Sequence, residues 1–330
     1  MSWQMLTVPN HQKIVQLLDY ESRCNIRQCS KDDRDVVDST KLRFEKFRIS
    51  EKLSKWVQVK TTIRVEIDSF TIWLTGKEDL TKIDRGWKGE PIEELSEIKH
   101  ENRFEILQKL LPRFSRNGVI EADTVEIDEI NFAPPESSKF KCSNLKLHSI
   151  SNPFAVEWLK KTTEVSGSLK KLDVRCWGQD EQLWPEIAGI NVSESLLSEL
   201  NTNCNDEQLE NLKAMNLKIT ASAVTVDGAM RKLEKFLKYG KKSDRLELSI
   251  EPPREFQLAG LSIPRYLEIK MLKKPDEISF VAKILGGFEN VHGILDPRKI
   301  EIQLNWGFFQ IICFVYEGEE KPQPCRLYPF

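Results

Sequence analysis

Seven short apolar–polar–apolar triplets recur along the chain: Val65-Glu66-Ile67, Val125-Glu126-Ile127, Leu145-Lys146-Leu147, Leu172-Asp173-Val174, Leu217-Lys218-Ile219, Leu246-Glu247-Leu248 and Leu267-Glu268-Ile269. Alternation with period two puts one face of a strand inward, so each triplet predicts a half-buried strand. Between several of them the apolar period changes to that of a helix, over Ile92–Leu111, Ala155–Val165, Asp206–Ala214, Asp227–Tyr239 and Asp276–Leu285. Asp206 and Asp227 are the expected N-caps and Gly240 the expected stop. Strands alternating with helices predict parallel βαβ-type units. Val125 to Leu145 is 20 residues, Leu145 to Leu172 is 27 and Leu217 to Leu246 is 29. These spacings fall in the ~20–29-residue period of leucine-rich repeats. The 45-residue gap from Leu172 to Leu217 predicts a hidden strand at Leu196–Leu200. The repeat is irregular, and a non-repetitive α+β domain is the alternative reading. From Ile300 two β-rich runs, 300–304 and 311–316, flank Trp306-Gly307 and predict a closing β-hairpin.

The first forty residues follow a different pattern. Pro9 and Asn10 suit a helix start. Ile14, Val15, Leu17 and Leu18 then form an apolar helical face. A second short helical pattern runs from Glu21 to Cys29. Ser30 with Asp33 resembles a capping box and would start a third helix through Val36 and Val37 to Ser39. Three helices this short bury little surface alone, so the unit must dock on something.

This stretch resembles an F-box. Val8-Pro9 takes the place of the family's Leu-Pro, Ile14-Val15 and Leu17-Leu18 its first helix, and Asp19-Tyr20 its turn. Ile26 and Cys29 take its second helix, and Asp35-Val36-Val37-Asp38-Ser39 its closing segment. Residues 18–31 are similar to the large, divergent F-box families of nematodes, with Asp32 where the family usually has Trp. The resemblance implies an F-box-like helical module at residues 1–45 and an F-box-associated β/α substrate-binding region at 46–330. It also implies a substrate receptor of a cullin-type (SCF) ubiquitin ligase. Its partners would be a Skp-type adaptor, through it a cullin, and a target protein that the resemblance does not identify. On this implication the adaptor contacts Leu6, Val8, Pro9, Ile14, Val15, Leu17 and Leu18, over a patch of ~800 Å². Ile26, Cys29 and Val36 would hold the helices together. A repeat-like protein-interaction module with no ligase role is the alternative.

Residues 41–60 carry seven Lys/Arg against two Glu, interleaved with Phe44, Phe47 and Trp56. Such a stretch either lines a single-stranded nucleic-acid groove or anchors a linker by its aromatics while the charges stay wet; the second is expected. Over the whole chain of 330 residues, 49 Lys+Arg nearly balance 51 Asp+Glu. That balance argues against a generally basic nucleic-acid binder. The longest apolar run, Ile311–Val315, is far shorter than the ~20 residues that span a bilayer, and Met1–Met5 shows no signal-peptide pattern. A soluble protein of the cytoplasm or nucleus is expected. The seven cysteines are odd in number and the four histidines scattered, with no metal-ligand spacing and no disulfide framework. Asn191-Val192-Ser193 fits a glycosylation acceptor, which matters only in a secreted chain.

No GxSxG, GxxxxGK[ST], GxGxxG or HExxH motif occurs. Glu90, Glu93, Glu94 and Glu97 read as the solvated face of a helix, and Gly286-Gly287 as a helix stop. The expected chain is therefore α/β: a three-helix F-box, then an irregular leucine-rich-repeat-like β/α region closed by a hairpin. Its role is non-catalytic, with no cofactor, no metal and no membrane attachment.

Overall fold

The computed structural model describes residues 3, 6–40, 42–53, 61–77, 80–115, 117–148, 152–175, 183–241, 243–250, 267–274, 277–284, 298–305 and 308–315. Trp56, Cys176, Gly286-Gly287, Trp306-Gly307 and Cys325 lie outside them. The chain divides into two compact units, Met1–Asn191 and Val192–Phe330.

The first unit begins with helices α1 (Val8–Leu17), α2 (Tyr20–Cys29) and α3 (Lys31–Ser39). Strands β1 (Phe44–Leu53), β2 (Thr61–Ile67), β3 (Phe70–Lys77), β4 (Leu80–Trp87) and β5 (Glu93–Lys99) follow. Next come α4 (Arg103–Leu110) with a 3₁₀ turn at Leu111–Phe114, β6 (Val119–Asp128), β7 (Lys139–Lys141) and β8 (Asn144–His148). The unit ends with α5 (Asn152–Ser166), β9 (Ser168–Arg175) and α6 (Leu183–Ala188). Its sheet runs β9-β8-β6-β1-β2-β3-β4-β5, with β7 beside β6. The order β9-β8-β6-β1 is parallel, and β1 to β5 form an antiparallel meander.

In the second unit β10 (Asn191–Asn205), α7 (Asp206–Asn211), β11 (Asn216–Ala223), α8 (Val226–Tyr239) and β12 (Arg245–Ile250) form a parallel β/α run. β13 (Leu267–Lys274), β14 (Glu277–Ile284), β15 (Arg298–Asn305) and β16 (Phe308–Val315) extend it antiparallel, in the order β12-β16-β15-β14-β13. All seven triplets lie in strands, the hidden strand at Leu196–Leu200 lies in β10, and the closing hairpin is β15–β16.

In the first unit, alternation becomes two rows across the sheet. Val65, Phe47, Ile49, Val125, Ile127, Leu145, Leu147, Leu172 and Val174 are all fully buried on one face. On the other face the register aligns Glu66, Arg48, Glu126, Lys146 and Asp173, one per strand, with signs alternating. Arg48 lies 3.4 Å from Glu66 and 3.9 Å from Glu126. Glu126 accepts from Lys46 and Lys146 at 2.6 Å each. Burial acts to raise the pKa of Glu126, and the hydrogen bonds from Lys146 and Lys46 outweigh it, holding the carboxyl below its ordinary value. Asp173 is lowered in the same way, burial opposing and His148 and Arg175 prevailing.

Several expectations are corrected. The helix over Ile92–Leu111 is a strand followed by a shorter helix: β5 pairs with β4, and α4 starts only at Arg103. Asn102 accepts from the N–H groups of Phe104 and Glu105, while the Glu105 carboxylate accepts from Asn102 N–H. That capping box fixes the boundary. Glu93 and Glu97 are therefore strand residues. The helix over Asp276–Leu285 is strand β14, paired on both sides; an apolar run this short has no period of its own to decide between the two. The N-caps of α7 and α8 are Asn205 and Thr225, not Asp206 and Asp227. Gly240 does end α8, with φ −62°. Residues 44–53 are not a linker but a strand inside the sheet, with Phe44 and Phe47 buried rather than open for stacking.

Glu126→Gln should lower the unfolding free energy by about 1–3 kcal/mol, the range for hydrogen bonds to charged groups. The folded pKa of Glu126 lies below its unfolded value, so its contribution is present above about pH 4.5 and lost as the pH falls below that. Urea titrations of both proteins should therefore differ at pH 7 and converge in acid. At Gly228 a Cβ would sit 2.2 Å from Asp206 Oδ1. Asp206 would have to leave the N–H and hydroxyl of Thr225, which it accepts at 2.8 and 2.6 Å. Gly228→Ala should cost about 1–3 kcal/mol, read as a lower thermal midpoint.

Candidate functional site

The three N-terminal helices are set by local polar contacts. Pro9 lies in the first turn of α1, where its missing N–H costs nothing. α1 stops when Leu18 becomes extended, and Asp19 accepts from Ser22 N–H at 2.7 Å to start α2. That backbone N–H, with the Ser22 hydroxyl, holds the Asp19 carboxyl below its ordinary pKa. Ser30 caps α3 by accepting from Asp33 N–H at 3.0 Å, and its hydroxyl donates to the Asp33 carboxylate at 2.7 Å. The Asp33 carboxylate thus bonds the cap hydroxyl and not the cap backbone, which differs from a capping box.

Val15, Val36 and Val37 make the small core of these helices, with Trp3 and Ile26 packed against it. Trp3 is tied in by its indole N–H, which donates to Asp33 at 2.7 Å, and by its carbonyl, which accepts from His11 at 2.7 Å. Its ring stacks on His11 at 4.2 Å. Arg27 and Asp38 join α2 to α3 through two hydrogen bonds of 2.7 and 3.2 Å.

Side chains around α1 divide sharply. Val15 is 0% exposed, whereas Leu17 is 86%, Val8 57% and Ile14 37% exposed. At about 100° per residue, Ile14 and Leu17 point about 100° and 160° away from Val15. Pro9 is exposed, and Leu6 and Leu18 are half-buried. Of the seven surface residues expected from the sequence, Val15 is therefore corrected: it faces inward and binds the helices together. Cys29 was expected inside and is exposed; its thiol donates to the Asn25 carbonyl at 3.4 Å. Ile14 and Leu17 form one apolar edge of α1, and Val8 and Pro9 mark its first turn.

Tyr20, expected only as part of the turn, opens α2, and it and Arg23, which carries no role in the sequence reading, both hold the helices in place. The Tyr20 ring contacts Phe44, Phe70, Trp87 and Phe114 at centroid distances of 5.8, 5.7, 6.0 and 6.1 Å. Burial pushes its hydroxyl pKa upward. Arg23 is 3% exposed, and its guanidinium donates to the carbonyls of Leu18 at 3.0 Å and Gln16 at 3.1 Å. These are carbonyls that the end of α1 leaves without a helical partner. Burial lowers the Arg23 pKa, against the attraction of Asp68 and Asp19. In the sequence the only trace of this cap is an Arg five residues after Leu18; its burial shows in the structure alone.

Among the described residues no group of three His, Cys, Asp or Glu is placed to hold a metal, and no helix is long and apolar enough to cross a membrane.

Residues 6–45 match the F-box domain family. The match runs from the lead-in of α1 into the start of β1, and it covers every residue expected to meet a partner. It is a match to the domain in general, without assignment to a subtype. No curated protein and no solved structure matches the chain. The chain carries an F-box domain, of the kind that binds Skp-type adaptors.

Tyr20→Ala would leave a gap among four aromatic rings and should cost about 2–3 kcal/mol, below the ~3–5 kcal/mol for deleting a fully buried aromatic because Tyr20 is half-buried. Amide hydrogen exchange should show lost protection in α2 before the sheet strands are affected.

Proposed function

We propose, from the F-box domain at residues 6–45, that this protein is a substrate-recognition subunit of a cullin-type ubiquitin ligase. The carrying observation is Leu17, a leucine left 86% exposed beside Ile14 on a helix whose inward face is already filled by Val15. An unfilled apolar edge of this kind, flanked by Pro9 and Val8, fits the docking of a Skp-type adaptor. The β/α region would present the target protein. On this reading the protein does no bond chemistry; it raises the effective concentration of its target near a ubiquitin-charged enzyme. The thiols of Cys24, Cys29, Cys142 and Cys204, in no disulfide among the described residues, suit the reducing cytoplasm or nucleus in which such a ligase works.

Asp32, exposed on the first turn of α3, favours a second reading, an interaction module without a ligase role, because it puts a carboxylate where the F-box family usually has Trp. One experiment separates the two. A Skp-type adaptor should co-purify with the full chain and be lost from the Leu17→Asp variant. Leu17 is exposed, so its substitution leaves the fold intact, which circular dichroism checks. Pro9→Ala alone should weaken capture without abolishing it. Adaptor capture by a chain lacking residues 1–40 would overturn the first reading.

A further inference from the structure

In the second unit, α8 sets Arg231, Lys235 and Lys238 on one face at i, i+4 and i+7, with Lys232 beside them. These four cations line a pocket of about 500 Å³ together with Glu210 of α7 and Glu234 of α8 itself. The lining therefore carries two more positive than negative side chains. Two of the cations close the end of α7: Lys232 donates to the Leu212 carbonyl at 2.8 Å, and Lys235 to the Glu210 carbonyl at 2.9 Å. An ammonium has three donors. Lys232 is only 2% exposed, and Leu212 is its one hydrogen-bond acceptor among the described residues. Burial, with Lys235 nearby, brings its pKa down to about 8. Arg231 is held by Glu210 and by Asp206, the latter at 3.3 Å. Lys238 lies over the Tyr239 ring at 5.1 Å and makes no ion pair among the described residues.

Cations packed this closely repel one another, and one of them is out of water with donors to spare. Counting Asp206, which also holds Arg231, the cluster keeps an excess of one positive charge; an oxyanion would neutralise it and accept from several ammonium hydrogens at once. We propose that the α7–α8 pocket binds a phosphate group, held chiefly by Lys232, Lys235 and Lys238. The volume exceeds what free phosphate needs, which leaves room for whatever carries it as a monoester. This site is independent of the adaptor-docking edge of α1.

Calorimetric titration of the full chain at fixed ionic strength tests it, with inorganic phosphate in one arm and phenyl phosphate in the other. Saturable one-site binding is expected, tighter for the monoester if the ligand arrives attached to a carrier and equal if it is free phosphate. Lys235→Gln with Lys238→Gln should weaken it about tenfold or more. Lys171→Gln, an exposed lysine on β9, should leave it unchanged. Glu234→Gln removes a competing carboxylate and should tighten binding about two- to threefold, a gain that a misfolded protein cannot mimic. Absence of saturable binding in both arms overturns the proposal, as does an equal loss in the Lys171→Gln protein.

Discussion

The register of the first sheet depends on a row of charges. Parallel strands have no tight turn to hold them in step, since each is joined to the next by a long crossover. A slip of one residue would turn every inward side chain outward. In this protein both faces forbid the slip. The aromatic and aliphatic row from Phe47 to Val174 is buried on one side. On the other side Glu66, Arg48, Glu126, Lys146 and Asp173 stand opposite partners of the other sign. Each charge is half-buried, so displacing it would leave partners stranded at the sheet surface. The uneven spacing of the β/α units is tolerated because register is set strand by strand across the sheet, and connection length does not enter.

The same sheet supports the three N-terminal helices. Phe44 and Phe70 reach Tyr20 from β1 and β3, Trp87 from β4 and Phe114 from the turn after α4. Arg23, one turn further along α2, holds the end of α1. The exposed edge at Ile14 and Leu17 is thereby presented from a fixed base, because Phe44, Phe70, Phe114 and Arg23 are buried and Tyr20 and Trp87 half-buried, while Ile14 and Leu17 are exposed.

Much of the strand content was legible, because period-two alternation is a direct imprint of a sheet with one buried face. What escaped was whatever depends on distant partners. Residues 44–53 read as a basic linker because Lys46 and Arg48 look unbalanced locally, while their carboxylates, Glu66, Glu126 and Asp128, arrive from β2 and β6. In 93–98 the apolar residues Leu95 and Ile98 are three apart, a helical spacing, and 278–284 is an apolar run too short to distinguish a strand from a helix; only pairing decides both. On α1 the apolar pattern found Val15 and Leu17 equally well. Which of them faces inward depends on Val36 and Val37, two helices away. The F-box itself was legible because its residues are local and ordered along the chain.

The matched F-box ends at residue 45, inside a strand that begins at Phe44. A cut there would strip Tyr20 of three of its four ring neighbours, Phe70, Trp87 and Phe114, and leave them facing water. The family boundary and the physical boundary therefore do not coincide. A chimaera that grafts these three helices onto another receptor would need an aromatic socket like that of Phe70, Trp87 and Phe114 already present in the recipient. Short of that, the helices and the first sheet can be exchanged between proteins only as a single inherited piece.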